Sequence, residues 1–109
     1  MTLIFLYIQS QAVQNLSVSD AVLRKITTRH GVDLVEVRQC FHNKKGKLLF
    51  DNRALTKTDP PTLWFIAKTN KNRFLKIVYI LKNSQTILKT AYEPNETELA
   101  IYARFGAAH

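Results

Sequence analysis

The sequence predicts an α+β domain, with an N-terminal helical hairpin, an antiparallel sheet of about four strands and a C-terminal helix. Two stretches with apolar residues at helical spacing lie in the first half of the chain, and a capped helical stretch closes it. Between them, three strand-like segments follow one another from Trp64 to Tyr92. The turns that join these segments are too short for a crossover helix, so neighbouring strands should be antiparallel. We expect the helices on one face of the sheet.

The first helix is predicted over Asp20–Arg29. Ser19 and Asp20 offer an N-cap, and Val22, Leu23 and Ile26 fall on one face. His30 and Gly31 end the helix, because glycine is suited to the left-handed position that follows a helix C-terminus.

Two further helices begin at capping boxes. Asp33 and Glu36 have the spacing of a capping box, which predicts a second helix over Leu34–His42. Asn95 and Glu98 repeat that spacing and predict the final helix.

The strands are predicted from short runs rich in β-branched and aromatic residues. Their expected ranges are Lys47–Asp51, Leu63–Thr69, Arg73–Leu81 and Thr86–Tyr92. Period-two alternation on the central strand places Phe74, Lys76, Val78 and Ile80 on one face. The same alternation on the last strand groups Leu88, Thr90 and Tyr92 on one face and Ile87, Lys89 and Ala91 on the other.

Composition bounds the class of protein. The 109 residues suffice for one domain and not two. Sixteen Lys and Arg residues against eight Asp and Glu residues give a net charge of +8. This charge favours a polyanionic partner, namely nucleic acid, an acidic protein or an anionic membrane surface. A solvated basic surface is the simpler interpretation.

The single cysteine, Cys40, excludes a disulfide within the chain and any Cys/His metal spacing. It is best explained as a small buried hydrophobe, and we expect a reduced, cytoplasmic location. The apolar run Leu3–Ile8 lacks a preceding basic segment and is shorter than a signal-peptide core. Residues 1–16 are interpreted as an N-terminal extension or edge strand, and residues 17–109 as a single domain. No cofactor, metal site or membrane span is expected.

Candidate chemistry lies in cations and phenols, since the usual enzyme signatures are missing. Lys76 interrupts an otherwise apolar strand face, where a cation can stabilise a phosphorane, and Arg73 can add a bidentate phosphate contact. Histidine side chains change protonation near neutral pH as a class, so His30 is a candidate general acid or base. Tyr92 can donate a hydrogen bond or stack on a base. Each has a simpler interpretation: a solvated lysine, a histidine at a helix end, or a core tyrosine.

The residues predicted to contact RNA are basic and scattered along the chain. They are Arg53, Lys57, Lys68 and Lys89. If they converge on one face they form an RNA footprint, and if they spread out they are ordinary solvated charge.

Several short segments together resemble one family. They are RHGV (29–32), VDLVEVRQCF (32–41), NRFLKIVYI (72–80), TAY (90–92) and the pair Glu98 and Tyr102. They resemble the BrnT-type toxins, small basic ribonucleases of type II toxin–antitoxin modules related to the RelE/ParE superfamily. The likeness covers about residues 18–105. It implies a RelE/ParE-like fold, metal-independent endoribonuclease activity on RNA, and an acidic antitoxin as partner, in a homodimer or a toxin–antitoxin hetero-oligomer.

The resemblance carries over by residue. His30 matches the family histidine, and Arg73 matches the arginine that opens the central strand. Glu98 and Tyr102 match the pair in the last helix.

One position departs from the family pattern. Tyr92 stands where the family has an arginine after serine-alanine, which moves the expected charge to Lys89 or Lys76, or removes nuclease activity. Two alternatives therefore stand beside the ribonuclease. One is a non-catalytic protein whose basic face binds an acidic partner, and the other is a DNA- or gyrase-directed toxin like ParE.

Overall fold

The structure is a computed structural model that describes residues 15–46, 49–50 and 60–106. The α+β class and the order of hairpin, sheet and C-terminal helix are confirmed. The elements are β1 (Leu16–Ser17), α1 (Asp20–His30), α2 (Leu34–Asn43), β2 (Leu49–Phe50), β3 (Leu63–Lys68), β4 (Phe74–Lys82), β5 (Gln85–Tyr92) and α3 (Glu96–Phe105). Residues 1–14 of the predicted N-terminal extension or edge strand lie outside the described residues, as do the predicted RNA contacts Arg53 and Lys57.

The helix ends follow the predicted caps. The Ser19 side chain accepts a hydrogen bond from the Val22 N–H, and Gly31 ends α1 in the left-handed region with φ 61°. Both capping boxes are present, one at the start of α2 and one at the start of α3. These local signals depend on residues within one turn of each other, and the sequence therefore locates them well.

The sheet has the strand order β1-β5-β4-β3-β2. Its consecutive strands from β2 to β5 are antiparallel, whereas β1 pairs with β5 in parallel, with Leu16 opposite Thr86. The described sheet is therefore mixed and five-stranded. A two-residue strand such as β1 carries too little alternation to be recognised from the sequence.

Helices cover both faces of the sheet, so the expectation of a single covered face is wrong. The Phe41 ring of α2 contacts the Phe65 ring with centroids 5.1 Å apart. The Tyr102 ring of α3 contacts the Trp64 ring with centroids 5.8 Å apart. Trp64 and Phe65 are neighbours in β3 and point to opposite faces. The buried run Leu63–Ala67 in β3 is the sequence signal for this arrangement, because a strand covered on both sides is apolar on both sides.

A β-bulge changes the faces of β5. Tyr79 pairs with Leu88, but its neighbour Val78 pairs with Thr90, so Lys89 is an extra residue in the strand. Leu88 consequently shares the buried face with Ala91, and not with Thr90 and Tyr92 as strict alternation predicts. The bulge also places Tyr92 opposite Lys76.

The core under α1 and α2 contains residues with no solvent exposure, among them Ile26, Val37, Leu75 and Ile77. Cys40 is buried in the same core, as predicted. Within the described parts of the chain, no helix has the length and apolarity that crossing a membrane requires.

Candidate active site

Four side chains from four elements meet at the end of the sheet where α1, β5 and α3 come together. The rings of His30 and Tyr92 contact each other with centroids 5.5 Å apart and planes inclined by 40°. The Tyr92 hydroxyl donates to Glu98 Oε2 at 2.6 Å, and Lys76 Nζ donates to the same oxygen at 2.7 Å. We refer to His30, Tyr92, Glu98 and Lys76 as the His30–Lys76 cluster.

Local backbone features bring the cluster together. The bulge in β5 places Tyr92 directly across from Lys76 in β4. The capping box of α3 fixes Glu98, because its Oε1 accepts the Asn95 N–H at 3.0 Å while Oε2 takes Tyr92 and Lys76. One carboxylate therefore caps a helix and links that helix to two strands.

The charges within the cluster are set by this geometry. Burial opposes the charge of Glu98, but the hydrogen bonds from Lys76, Tyr92 and the Asn95 backbone outweigh it and lower the pKa of Glu98. Burial, followed by the hydrogen bond to Glu98, raises the pKa of Tyr92. At neutral pH the cluster therefore holds a carboxylate and a phenol that keeps its proton.

Lys76 lies between aromatic rings. Its side chain is 13% exposed, so the simpler interpretation of a solvated lysine does not hold. Lys76 Nζ lies 4.5 Å from the centroid of the Trp64 ring and 5.6 Å from that of the Tyr92 ring. Ring faces attract cations in such settings, and the ammonium is thus held by one carboxylate and two rings.

Arg73 hydrogen-bonds to the backbone at His30 and Gly31. Its guanidinium donates from Nη2 to the His30 carbonyl at 3.2 Å and from Nη1 to the Gly31 carbonyl at 2.9 Å. Nη1 also contacts Glu36 Oε1 at 3.0 Å, and Nε donates to Glu93 Oε1 at 2.7 Å. The hydrogen bond to Glu93, together with that to Glu36, raises the pKa of Arg73. The predicted phosphate contact of Arg73 has to compete with these acceptors.

The structure brings together three of the four predicted catalytic residues, namely His30, Lys76 and Tyr92, and places Arg73 behind the His30 backbone. Their assignment as catalytic stays a prediction. Of the predicted RNA contacts, Lys68 ends β3 with its Nζ 5.0 Å from the Phe74 ring centroid. Lys89 lies at the bulge of β5, on the other side of β4.

Glu98 is not among the predicted site residues, although its capping-box spacing places it in the first turn of α3. No local signal marked Glu36 and Glu93 as partners of Arg73, because each is distant from Arg73 in sequence. Within the described residues, no group of three or more His, Cys, Asp or Glu side chains is arranged to hold a metal ion.

Fold and cluster together define a small basic α+β protein with a carboxylate–phenol–lysine group at one end of its sheet. Comparison with protein-family models, with curated proteins and with solved structures finds no match to the chain.

Proposed function

We propose that the protein is a toxin-type endoribonuclease that cleaves RNA at the His30–Lys76 cluster. The observation that supports this most is the convergence of a histidine, a phenol and a lysine on one carboxylate-linked site. In a chain of net charge +8, such a site offers proton transfer and charge stabilisation to a polyanionic substrate.

The proposed reaction is a transesterification within RNA. A ribose 2′-oxygen bonds to the adjacent phosphorus and the bond from phosphorus to the 5′-oxygen breaks, which leaves a 2′,3′-cyclic phosphate and a 5′-hydroxyl end. One proton leaves the 2′-hydroxyl and one is given to the departing 5′-oxygen. His30 takes the first proton, since neutral imidazole is a base near physiological pH. Tyr92, whose phenol is protonated at neutral pH before the reaction, donates the second proton to the 5′-oxygen.

Lys76 stabilises the charge that develops on the phosphorane. An ammonium has three N–H donors, and Glu98 accepts from Lys76 through Oε2. The Trp64 and Tyr92 rings beside it limit access of water, which strengthens its interaction with a phosphate oxygen. Arg73 contributes by holding the His30 carbonyl, and therefore the start of the turn that carries the imidazole.

The test is incubation of purified protein with RNA in the presence of EDTA, followed by analysis of the product ends. We expect cyclic phosphate ends and growth arrest on expression. His30→Ala should lower the cleavage rate by about 10²- to 10⁴-fold, and Lys76→Met should do so while keeping the apolar stem. Lys82→Met is the matched control, because Lys82 is exposed at the opposite end of β4 from Lys76 and lies outside the cluster. Intact RNA together with unchanged growth rejects the proposal.

A second function is favoured by one observation. Both cations proposed for the site already have carboxylate partners, Arg73 with Glu36 and Glu93 and Lys76 with Glu98. A non-catalytic protein that presents a basic face to an acidic partner, such as an antitoxin, needs no free cation in the cluster. Growth arrest that survives His30→Ala and Lys76→Met supports this second function. DNA damage signalling with stable RNA indicates a DNA-directed toxin instead.

The ribonuclease proposal carries two further expectations. It places the protein in the cytoplasm, where RNA is available to it. It also implies an acidic antitoxin that neutralises it, and a neighbouring gene for a small acidic protein is the observation to seek.

A further inference from the structure

A cleft of about 920 Å³ opens between α3, the C-terminal end of α2 and the turn that joins β3 to β4. Its apolar lining includes Ile66, Leu99 and Ala103. Its described lining also includes the exposed Lys45 and Lys68 and the half-buried Lys44, and none of the described lining residues is acidic. The cleft therefore combines apolar and basic lining residues, which suits a ligand that has a flat apolar part and a negative charge.

An exposed aromatic ring stands at the edge of this cleft. The Phe74 side chain is 45% exposed, although it begins the central strand β4. Lys68 Nζ lies 5.0 Å from its ring centroid. An aromatic ring beside a lysine is the arrangement by which proteins hold single-stranded nucleic acid, with a base on the ring and a phosphate at the cation. A lysine on its flexible stem can leave the ring for a phosphate when a base stacks there.

The cleft adjoins the His30–Lys76 cluster. Phe74 and Lys76 share one face of β4, and two residues along a strand span roughly 7 Å. Leu99 of the cleft and Glu98 of the cluster are neighbours in α3. A nucleotide in the cleft would thus lie next to a phosphate held at Lys76.

A peptide fits this cleft less well, because side chains already hydrogen-bond to the backbone groups of β3 and of the turn that follows it. The Ile66 backbone is hydrogen-bonded to Tyr102, and Asn43 Nδ2 donates to the Lys68 carbonyl at 3.0 Å. Beyond the turn, the Asn70 N–H donates to Gln39 Oε1 at 3.0 Å. Addition of a peptide strand relies on such backbone groups, whereas base stacking does not.

We propose that the cleft binds a nucleotide of single-stranded RNA, with its base on Phe74 and its phosphate at Lys68. This inference rests on the proposed ribonuclease function and names the part of the substrate that lies beside the cleaved bond. It assigns Phe74 to substrate binding and gives Lys68, which the sequence predicted as an RNA contact, a defined position.

The test measures binding of a fluorescein-labelled 2′-O-methyl oligouridylate by fluorescence anisotropy at several salt concentrations. Its blocked 2′-oxygen prevents cleavage by the proposed reaction, so that binding is measured by itself. Phe74→Ala should weaken binding about ten-fold, and Phe74→Tyr should retain it. Lys68→Ala should lower the salt dependence by about one phosphate contact. The matched controls are Phe105→Ala, an exposed ring outside the cleft, and Lys82→Ala at the opposite end of β4.

The possible outcomes distinguish the proposed nucleotide binding in the cleft from the proposed ribonuclease activity. Binding that depends on Phe74, with ordinary RNA left intact, supports the cleft and rejects the nuclease. If ordinary RNA is cleaved and both binding and kinetics are unchanged in Phe74→Ala and Lys68→Ala, the ribonuclease proposal stands and nucleotide binding in the cleft is overturned. Binding of a polyglutamate peptide that depends on Phe74, with no binding of the oligonucleotide, also overturns the inference. Circular dichroism of each variant confirms that it is folded. Lys68→Ala changes an exposed side chain and keeps the test valid if Phe74→Ala does not fold.

Discussion

Lys76 and Tyr92 face each other across the β4–β5 pair and donate to the same carboxylate oxygen, Glu98 Oε2, at 2.7 and 2.6 Å. The carboxylate belongs to α3, so this shared acceptor fastens the C-terminal helix to the central strands. The same three groups form the proposed catalytic cluster with His30. Stability and activity should therefore both depend on Glu98.

Replacement of Glu98 by glutamine should destabilise the fold. Lys76 is 13% exposed and would lose its counter-charge, while the amide keeps most of the side-chain volume. We expect the free energy of unfolding to fall by about 1–3 kcal/mol, measured by urea denaturation. Glu96→Gln is the control, because Glu96 lies in the same helical turn and is exposed. Equal stabilities of the two variants would contradict the role given to the Lys76–Glu98 contact.

The same carboxylate should make stability depend on pH. The folded-state pKa of Glu98 is lowered from its usual value of 4.5, so the folded protein binds this proton less readily than the unfolded chain. The stabilisation is present in full above pH 4.5 and is lost as pH falls through the lower folded-state pKa. Urea denaturation between neutral pH and pH 3 should show a smaller difference between wild type and Glu98→Gln at the acid end. A constant difference across this range would show that Glu98 does not titrate in this way.

Replacement of Arg73 by lysine should be costly although it keeps the charge. The guanidinium reaches Glu36, Glu93 and two main-chain carbonyls from one plane, and a single ammonium cannot match that geometry. We expect a loss of about 2–3 kcal/mol in unfolding free energy, with a shifted His30 imidazole signal in NMR spectra. Arg24→Lys on the exposed side of α1 should change neither. Unfolding of Arg73→Lys at the wild-type urea midpoint would show that the guanidinium contacts are dispensable for stability.

The predictability of the fold follows the range of the interactions involved. The caps at Ser19, Gly31 and Asn95 join residues within one helical turn, and the sequence located each of them. The bulge at Lys89 depends on how β5 pairs with β4. The alternation of residues within one strand does not reveal a bulge, and the predicted faces of β5 were therefore wrong.

The candidate site divides in the same way. His30, Lys76 and Tyr92 were singled out by residue type and position, and the structure brings them together. Glu98 links Lys76 to Tyr92, and its capping-box spacing explains only one of its two oxygens. The other oxygen binds partners from β4 and β5, a tertiary arrangement that spacing does not reveal.

Gly46 should tolerate alanine less well than Gly31 does. A Cβ atom at Gly46 would collide with the Gly106 carbonyl oxygen and with the Tyr102 hydroxyl. A Cβ atom at Gly31 would contact no neighbouring atom, and its only cost would be the backbone strain at φ 61°. We expect Gly46→Ala to cost about 1–3 kcal/mol, as overpacking does, and Gly31→Ala to cost about 1 kcal/mol. Thermal or urea denaturation of the two variants compares them directly. The reverse order would mean that the approach of Gly46 to Gly106 relaxes readily.

Cys40 should be unreactive until α2 opens. Burial raises the pKa of its thiol to about 12, and Sγ lies 3.7 Å from the Ala67 carbonyl oxygen to which it donates. The thiolate, which is the reactive form, is therefore scarce at neutral pH and enclosed by the core. Labelling with a disulfide reagent should proceed at a rate set by opening of the structure, and it should accelerate in urea as the fold is lost. The urea-unfolded protein gives the rate of a free thiol, and native protein that reacts at that rate would contradict the packing of α2 against β3.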